Sequence, residues 1–142
     1  MKLIKHLFVL SCFGLFLWAC ASNPVKKNTE KEEPVVIAND SLEYEIIIID
    51  VGFNYYLNAV AQPPGYYSQK YLENQNRIMV ANWNYRVGNP QQYNPNLYWN
   101  TIEYFPNIDY GYEVNYKLFN YFIFAQNKYK INLRGNRPNR IN

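Results

Sequence analysis

The sequence predicts one α+β domain, in which about three helices pack on a small sheet of two or three strands. Residues 40–130 contain three segments whose apolar residues recur at helical spacing and two segments with the pattern of strands. These two periods distinguish helix from strand. The region contains no internal repeat, and a domain of roughly 90 residues can fold alone with a small margin of stability.

Two segments carry the strand prediction. The first runs from Glu43 to Asp50 and contains four consecutive isoleucines at 46–49, a pattern typical of a strand that is covered on both faces. The second, from Tyr98 to Phe105, alternates between two faces, and residues 35–37 could add an edge strand. Because a two-stranded sheet is unstable without neighbours, we expect a third strand or a partner to complete the edge.

The first two helices are marked by their ends. A short helix begins near Phe53 and stops at the prolines 63–64, which cannot continue a helix. A longer helix begins after Ser68, a favourable N-cap residue, runs to about Val87, and is terminated by Gly88 and the residues that follow it. Its predicted buried residues are Leu72, Met79, Val80, Trp83 and Val87.

A third helix is predicted from about Tyr110 to Tyr129, with Asp109 as its cap. Glu113 and Lys117 are spaced to form an ion pair on its outer face. Phe124 falls in the middle of the polar stripe, where solvent is expected, so we interpret it as part of a partner surface or as the missing half of a core. An ordinary exposed apolar residue is the simpler alternative. The predicted buried stripe consists of Val114, Leu118, Tyr121, Phe122, Ala125 and Tyr129.

Residues 1–19 have the pattern of a signal peptide. A basic start is followed by an apolar run from Leu7 to Ala19 that is too short to span a bilayer. The run ends in Leu17-Trp18-Ala19-Cys20, which resembles the lipobox of bacterial lipoproteins, and this resemblance implies lipid attachment to Cys20. We therefore expect a protein of the cell envelope that is held on a membrane by this lipid. No acidic run follows the cysteine, which favours a periplasm-facing position.

Removal of the signal peptide excludes several chemistries. The sole histidine, His6, and one of the two cysteines, Cys12, lie within it, and Cys20 would be consumed by lipid. The remaining chain can form no internal disulfide and no metal or haem site built on His or Cys. It also cannot form a Ser-His-Asp or Cys-His nucleophile. We expect no metal, no cofactor and no enzymatic activity.

The segments that flank the domain differ in charge. Residues 20–39 hold the lipidated cysteine and a mixed-charge, proline-containing linker, which we predict to be flexible. Residues 131–142 form a basic tail with Arg134, Arg137 and Arg140, which we predict to be disordered. Cleavage would remove Lys2 and Lys5 and reduce the formal charge from +3 to +1. Nucleic acid is not an expected partner of an exported protein.

Aromatic residues in loops suggest a ligand surface. Tyr66, Tyr67 and Trp99 lie in or beside predicted loops, as do Tyr93 and Tyr98, and aromatic rings with amide side chains are typical of sugar-binding faces. The codons for Tyr and Asn are rich in A and T, so genome composition is an alternative explanation for their abundance.

Two carboxylates lie near the start of the third helix, at Asp109 and Glu113. They could form a calcium site or an acid and base pair, but a helix cap and an ion pair with Lys117 explain them more simply. Asp50, where the first strand meets the first helix, is likewise interpreted as a cap.

Several segments resemble a family of small uncharacterised Bacteroidota lipoproteins whose shared domain has no known function. They are GYYSQKYLENQN (65–76), the Trp83-Asn84 pair with Arg86-Val87, NPNLY (94–98) and PNIDYGYEVNYKLFNYFIF (106–124). The resemblance covers about residues 43–129 and departs at Asp50-Val51-Gly52, where the family usually has Asp-Pro-Gly. It implies a lipoprotein but supplies no activity, ligand or site residue.

These observations lead to a functional hypothesis. The absence of catalytic residue types, the tether and the thin sheet indicate an accessory or protein-interaction module of the envelope. The alternative is an envelope glycan-binding module, which would present Tyr66, Tyr67 or Trp99 in a cleft. A hydrolase that uses carboxylates is the weakest of the three hypotheses and would need a buried carboxylate pair.

Overall fold

A computed structural model describes residues 33–135 of the chain. This part contains a two-stranded antiparallel sheet and three α-helices, which confirms the α+β class. Within it, no helix is both long and apolar enough to cross a membrane. The predicted signal peptide, Cys20 and residues 136–142 of the predicted tail lie outside the described residues. In chain order the elements are β1 (Val35–Asn39), a 3-10 turn (Asp40–Leu42), β2 (Tyr44–Ile48), α1 (Phe53–Ala59), α2 (Gln69–Val87) and α3 (Gly111–Tyr129).

The sheet is covered on one face only. β1 and β2 form a hairpin in which Ile37 is opposite Ile46 and Val36 is opposite Ile47. Ile37 is fully buried, whereas Ile47 is 50% exposed. The expectation that both faces of the isoleucine strand are covered is therefore wrong, because successive side chains alternate between the core and an open outer face. The predicted edge strand at 35–37 is confirmed as part of β1.

α3 is the central element, because β1, α1 and α2 all pack against it. Three neighbours leave little of the helix in contact with solvent, and its exposed residues are Glu113 near the start and residues 127–129 at the end. The predicted polar stripe consists of Glu113, Lys117, Asn120, Asn127 and Lys128, and of these only Asn120 is buried. Asn120 and Gln126 satisfy their side-chain amides by donating to the main-chain carbonyl one turn earlier.

Phe124 belongs to the core, so its interpretation as an exposed partner surface is wrong. Its side chain is 9% exposed, and its ring lies 5.5 Å from that of Phe53 and 5.6 Å from that of Tyr56, centroid to centroid. Gly52 turns the chain with a φ of 93°, and a Cβ there would lie 3.7 Å from the Phe124 ring. This turn lets α1 cover the face of α3 that its sequence marks as polar.

The segment 98–105 contains bends at Tyr98 and Asn100 and forms no strand among the described residues, so the predicted second strand is wrong. Alternation holds from residue 101 onward, because Ile102 and Tyr104 are buried while residues 101, 103 and 105 are exposed, but Asn100, which shares the predicted face of Tyr98, is exposed. The main-chain groups of Ile102 bond to the side-chain amide of Asn84 on α2, at 2.8 Å in each direction. Asn84 thus replaces the strand that would otherwise pair with this segment.

Predicted helix ends and pairs agree with the structure in most details. The Ser68 hydroxyl accepts a hydrogen bond from the Tyr71 amide and caps α2, and Lys117 pairs with Glu113 at 2.7 Å. The cap of α3 is one residue later than predicted. Tyr110 occupies the cap position, while Asp109 accepts from the Gly111 amide at 2.9 Å.

The folded part extends beyond 40–130 on both sides. β1 precedes residue 40, and Leu133 is fully buried. The Leu133 amide donates to the side-chain oxygen of Gln126 at 2.9 Å, and the Arg134 guanidinium lies 5.5 Å from the centre of the Phe119 ring. The first residues of the predicted basic tail therefore pack on the domain.

Buried tyrosine hydroxyls predict a loss of stability at alkaline pH. Burial, assisted by the charge of Glu73, raises the pKa of Tyr104 to about 12, and burial also raises the pKa values of Tyr44 and Tyr121. A raised pKa stabilises the fold fully below the unfolded value of about 10, and this contribution is lost as pH rises towards the folded value.

We therefore expect the urea midpoint to be constant from neutral pH to about pH 9 and to fall above about pH 10. Urea unfolding followed by circular dichroism, with phenolate absorbance as a second signal, measures this. A midpoint that stays constant or rises above about pH 10 would contradict the burial of these hydroxyls.

Candidate functional site

A groove of about 440 Å³ separates β2 from the segment 98–105. One wall consists of residues 43–48 and the other of residues 99–103, while Trp83 and Tyr121 line it between the walls. Consecutive residues on both walls show that the groove follows two main-chain edges. Its volume lies within the roughly 300–1,000 Å³ that is typical of ligand sites.

Within residues 33–135, both walls present main-chain groups without hydrogen-bond partners. β2 pairs with β1 along one edge, and its other edge makes no hydrogen bond within residues 33–135. On the opposite wall, Ile102 turns its amide and carbonyl to Asn84. Where a chain is extended, the main-chain amide and carbonyl of each residue point opposite to those of its neighbours. The main-chain amides and carbonyls of Thr101 and Glu103, on either side of Ile102, have no partner in the described chain. The groove is therefore bounded by two rows of available donors and acceptors.

The groove combines an aromatic interior with an acidic rim. Trp83 and Tyr121 are 3% and 8% exposed, and the indole nitrogen of Trp83 donates to the carbonyl of Asn100 at 2.9 Å, which holds the second wall in place. Glu43, Glu45 and Glu103 are exposed and line the walls, and none of the lysines and arginines in the described part of the chain lines them. None of the three carboxylates forms an ion pair within residues 33–135, so the groove carries an uncompensated negative charge.

Three aromatic residues were predicted as a possible ligand surface. The structure brings Tyr66 and Tyr67 together and places Trp99 elsewhere, in the groove. Trp99 is 69% exposed and lines the groove. Tyr66 and Tyr67 do not line it, but form a separate cluster in which Tyr67 packs edge-on to Tyr66 at 4.7 Å and stacks on Tyr71 at 4.9 Å. Tyr66 is 59% exposed, whereas Tyr67 is half-buried.

Tyr93 and Tyr98, the other two aromatic residues in predicted loops, both contact the side chain of Arg86. The Arg86 guanidinium lies 5.1 Å and 5.4 Å from the centres of their rings and donates to the Tyr98 hydroxyl at 2.6 Å. The same guanidinium donates to the carbonyl of Asn132. Arg86 thus ties the end of α2 to two other parts of the chain.

The carboxylates considered as catalytic or metal-binding groups are occupied by structural contacts. Asp109 accepts from Gln69 at 2.7 Å, in addition to its bond with Gly111. Asp50 does not cap α1, because Gly52 holds that position. Instead it accepts from Lys128 at 2.5 Å and from Tyr129 at 2.8 Å and 2.9 Å. Between residues 33 and 135, no group of three His, Cys, Asp or Glu side chains could hold a metal ion.

Sequence reasoning identified Trp99 but missed the acidic rim around it. Two signals were available: Glu43 and Glu45 flank Tyr44 just before the isoleucine run, and Glu103 alternates with Thr101 and Trp99 on one face of the second segment. Acidic residues beside an exposed aliphatic strand are a known device for protecting an open edge. Sequence alone could not show that the two segments face each other, because they are separated by two helices.

Comparison with known proteins places the chain in a family. Neither the curated proteins nor the solved structures include a match. The model of a family of unknown function (DUF6146) matches residues 7–139. Because this match covers nearly the whole chain, the protein belongs to that family.

Proposed function

We propose that the protein is a non-enzymatic interaction module of the bacterial cell envelope, a lipoprotein of the Bacteroidota type. The lipid on Cys20 would hold it on a membrane, with the domain facing the periplasm. The sequence supports this through the signal-peptide pattern of residues 1–19 and the lipobox that ends at Cys20. Twelve residues separate Cys20 from the first described residue, Glu33, and as a linker they would let the domain reach roughly 20 Å from the lipid.

The observation that carries the interaction role is the groove with unpaired main-chain edges on both walls. An open sheet edge is a template for another extended chain, and many recognition domains bind peptides in this way. The outer face of the sheet adds exposed aliphatic area beside the groove through Val36, Ile47 and Ile49, which are 44%, 50% and 71% exposed. Edge, groove and aliphatic face together form a continuous surface for a protein partner.

Photocrosslinking in native membranes tests this proposal. A photoreactive amino acid at Thr101, on the groove wall, is expected to capture a recurrent envelope protein from cells that express the full-length chain, identified by mass spectrometry. The same amino acid at Asn74, an exposed position on α2 outside the groove, is the matched control. Cys20→Ser is expected to abolish the crosslink, because the variant loses its membrane position.

Two outcomes would contradict the proposal. If Thr101 and Asn74 capture the same proteins in the same amounts, the groove is not the interaction site. If the crosslink at Thr101 is unchanged by Cys20→Ser, the interaction does not need the anchor.

A second candidate function is supported by the exposed aromatic rings. Tyr66 and Tyr71, 59% and 38% exposed on either side of Tyr67, offer a surface on which sugar rings could stack. This arrangement favours glycan binding as the alternative. The photoreactive amino acid placed at Tyr66 distinguishes the two, because a glycan module would crosslink to saccharide there and give no protein product at Thr101.

A further inference from the structure

We propose that the groove binds an extended segment of a partner protein in which basic and apolar residues alternate, and that this segment pairs with β2 as an added strand. The inference rests on the proposed interaction function and specifies the chemistry of the partner. It follows from the dimensions of the groove, the direction of its main-chain groups and the distribution of its charges.

The dimensions fit a strand. A strand residue rises about 3.3 Å, occupies about 4.8 Å in the pairing direction and about 10 Å between layers, which amounts to about 160 Å³. The groove of about 440 Å³ therefore accommodates roughly three residues between its walls. A strand in this position would pair with the free edge of β2, and its other edge would face the free main-chain groups of Thr101 and Glu103.

The two faces of the groove call for different side chains. On the core side, an added strand would contact the buried rings of Trp83 and Tyr121, which favours apolar residues. On the outer side, its neighbours would be Glu45 of β2 and Glu103 of the second wall, both exposed. Cross-strand neighbours on one face of a sheet interact directly, so lysine or arginine at alternate positions would complement these carboxylates.

The same charges argue against a second copy as the occupant. Antiparallel pairing of two β2 edges would bring Glu43 and Glu45 of each chain into the same small region. Like charges on neighbouring strands are destabilising, and no basic residue between 33 and 135 lines the groove to relieve them. An acidic edge thus discourages self-pairing and leaves the groove available to a chain of opposite charge.

A peptide with alternating lysine and valine is the direct probe. We expect it to bind the full-length protein in detergent, measured by fluorescence anisotropy at fixed ionic strength, at least tenfold more tightly than a peptide with alternating glutamate and valine. The double reversal E45K/E103K is expected to weaken binding of the lysine peptide at least tenfold and to strengthen binding of the glutamate peptide. The matched control is E33K/E113K, which makes the same change in net charge outside the groove and should leave both affinities within about twofold.

Main-chain pairing has its own test, which separates a strand from a merely cationic ligand. Two versions of the lysine peptide carry N-methyl groups at either the odd or the even positions, so that charge is retained while alternate amide donors are lost. We expect at least one version to bind tenfold or more weakly. If both bind as tightly as the unmodified peptide, the strand model is overturned.

The remaining outcomes identify other occupants. If the protein dimerises through the groove without peptide, and E45K/E103K changes this dimerisation, then a second copy is the occupant and the proposal is wrong. If peptidoglycan fragments displace a spin label at Thr101 while the lysine peptide does not, the groove binds glycan. If Thr101 crosslinks a partner in cells but both peptides bind equally, the interaction function stands and the basic-strand inference fails.

Discussion

Replacing Phe124 with alanine is expected to lower the free energy of unfolding by about 3–5 kcal/mol, the range for buried phenylalanine. The ring fills the space between α3 and α1, where it contacts Phe53 and Tyr56. Its partners cannot close the cavity easily, because Gly52 fixes the turn before α1 and the Lys128 ammonium lies 5.2 Å from the centre of the ring. Urea unfolding measures the change.

Phe105→Ala is the matched control. This phenylalanine is 52% exposed, so its replacement should change stability by less than about 0.5 kcal/mol. Circular dichroism at low urea should show that both variants fold. A loss below about 1 kcal/mol for Phe124→Ala would contradict the packing described here and return Phe124 to the surface role suggested by its position in the helical pattern.

The behaviour of α3 shows what the sequence could and could not predict. Its length and its buried stripe followed from the 3.6-residue period, because any helix with such a stripe gains by burying it. The exception is Tyr129, which was predicted to be buried and is 37% exposed. Whether the opposite face of the helix is buried or exposed depends on how many other elements pack against it. Three elements surround α3, and a pattern within the helix holds no information about elements that approach from outside. Phe124 and Asn120 were misplaced for this reason.

The two segments predicted as strands illustrate a second limit. Alternation grouped Tyr98, Ile102 and Tyr104 on one face, and all three are buried, whereas Asn100 of the same group is exposed. The alternation could not indicate which groups the main chain hydrogen-bonds to. At Ile102 the side-chain amide of Asn84 bonds to the main chain where a neighbouring strand was expected. The expected third strand is absent from residues 33–135, and completion of the sheet edge by a partner stays a prediction. The groove lies beside that edge, so the candidate site arises where the sheet is incomplete.

A buried polar network on the other side of α3 provides the second large effect. Asn115 and Asn76 are fully buried, and Tyr104 is 9% exposed. The Asn115 side-chain oxygen accepts from the Tyr104 hydroxyl at 2.6 Å and from the Asn76 amide at 3.1 Å. Its amide donates to the carbonyl of Gly111 at 2.8 Å. One side chain therefore joins α2, α3 and the segment 98–105, and it fixes the wall of the groove from behind.

Asn115→Ala is expected to destabilise the domain by about 2–4 kcal/mol, because it leaves the Tyr104 hydroxyl buried without an acceptor and opens a small cavity. Tyr104→Phe removes only the hydroxyl, and Asn115 keeps its bond with Asn76, so a loss of about 1 kcal/mol is expected. The double variant should lose less than the sum of the single losses, with a coupling of about 0.5–3 kcal/mol, since no hydroxyl remains to be orphaned. Urea unfolding of the four proteins gives this coupling. Losses that add to within about 0.3 kcal/mol would show that the two side chains do not share a bond.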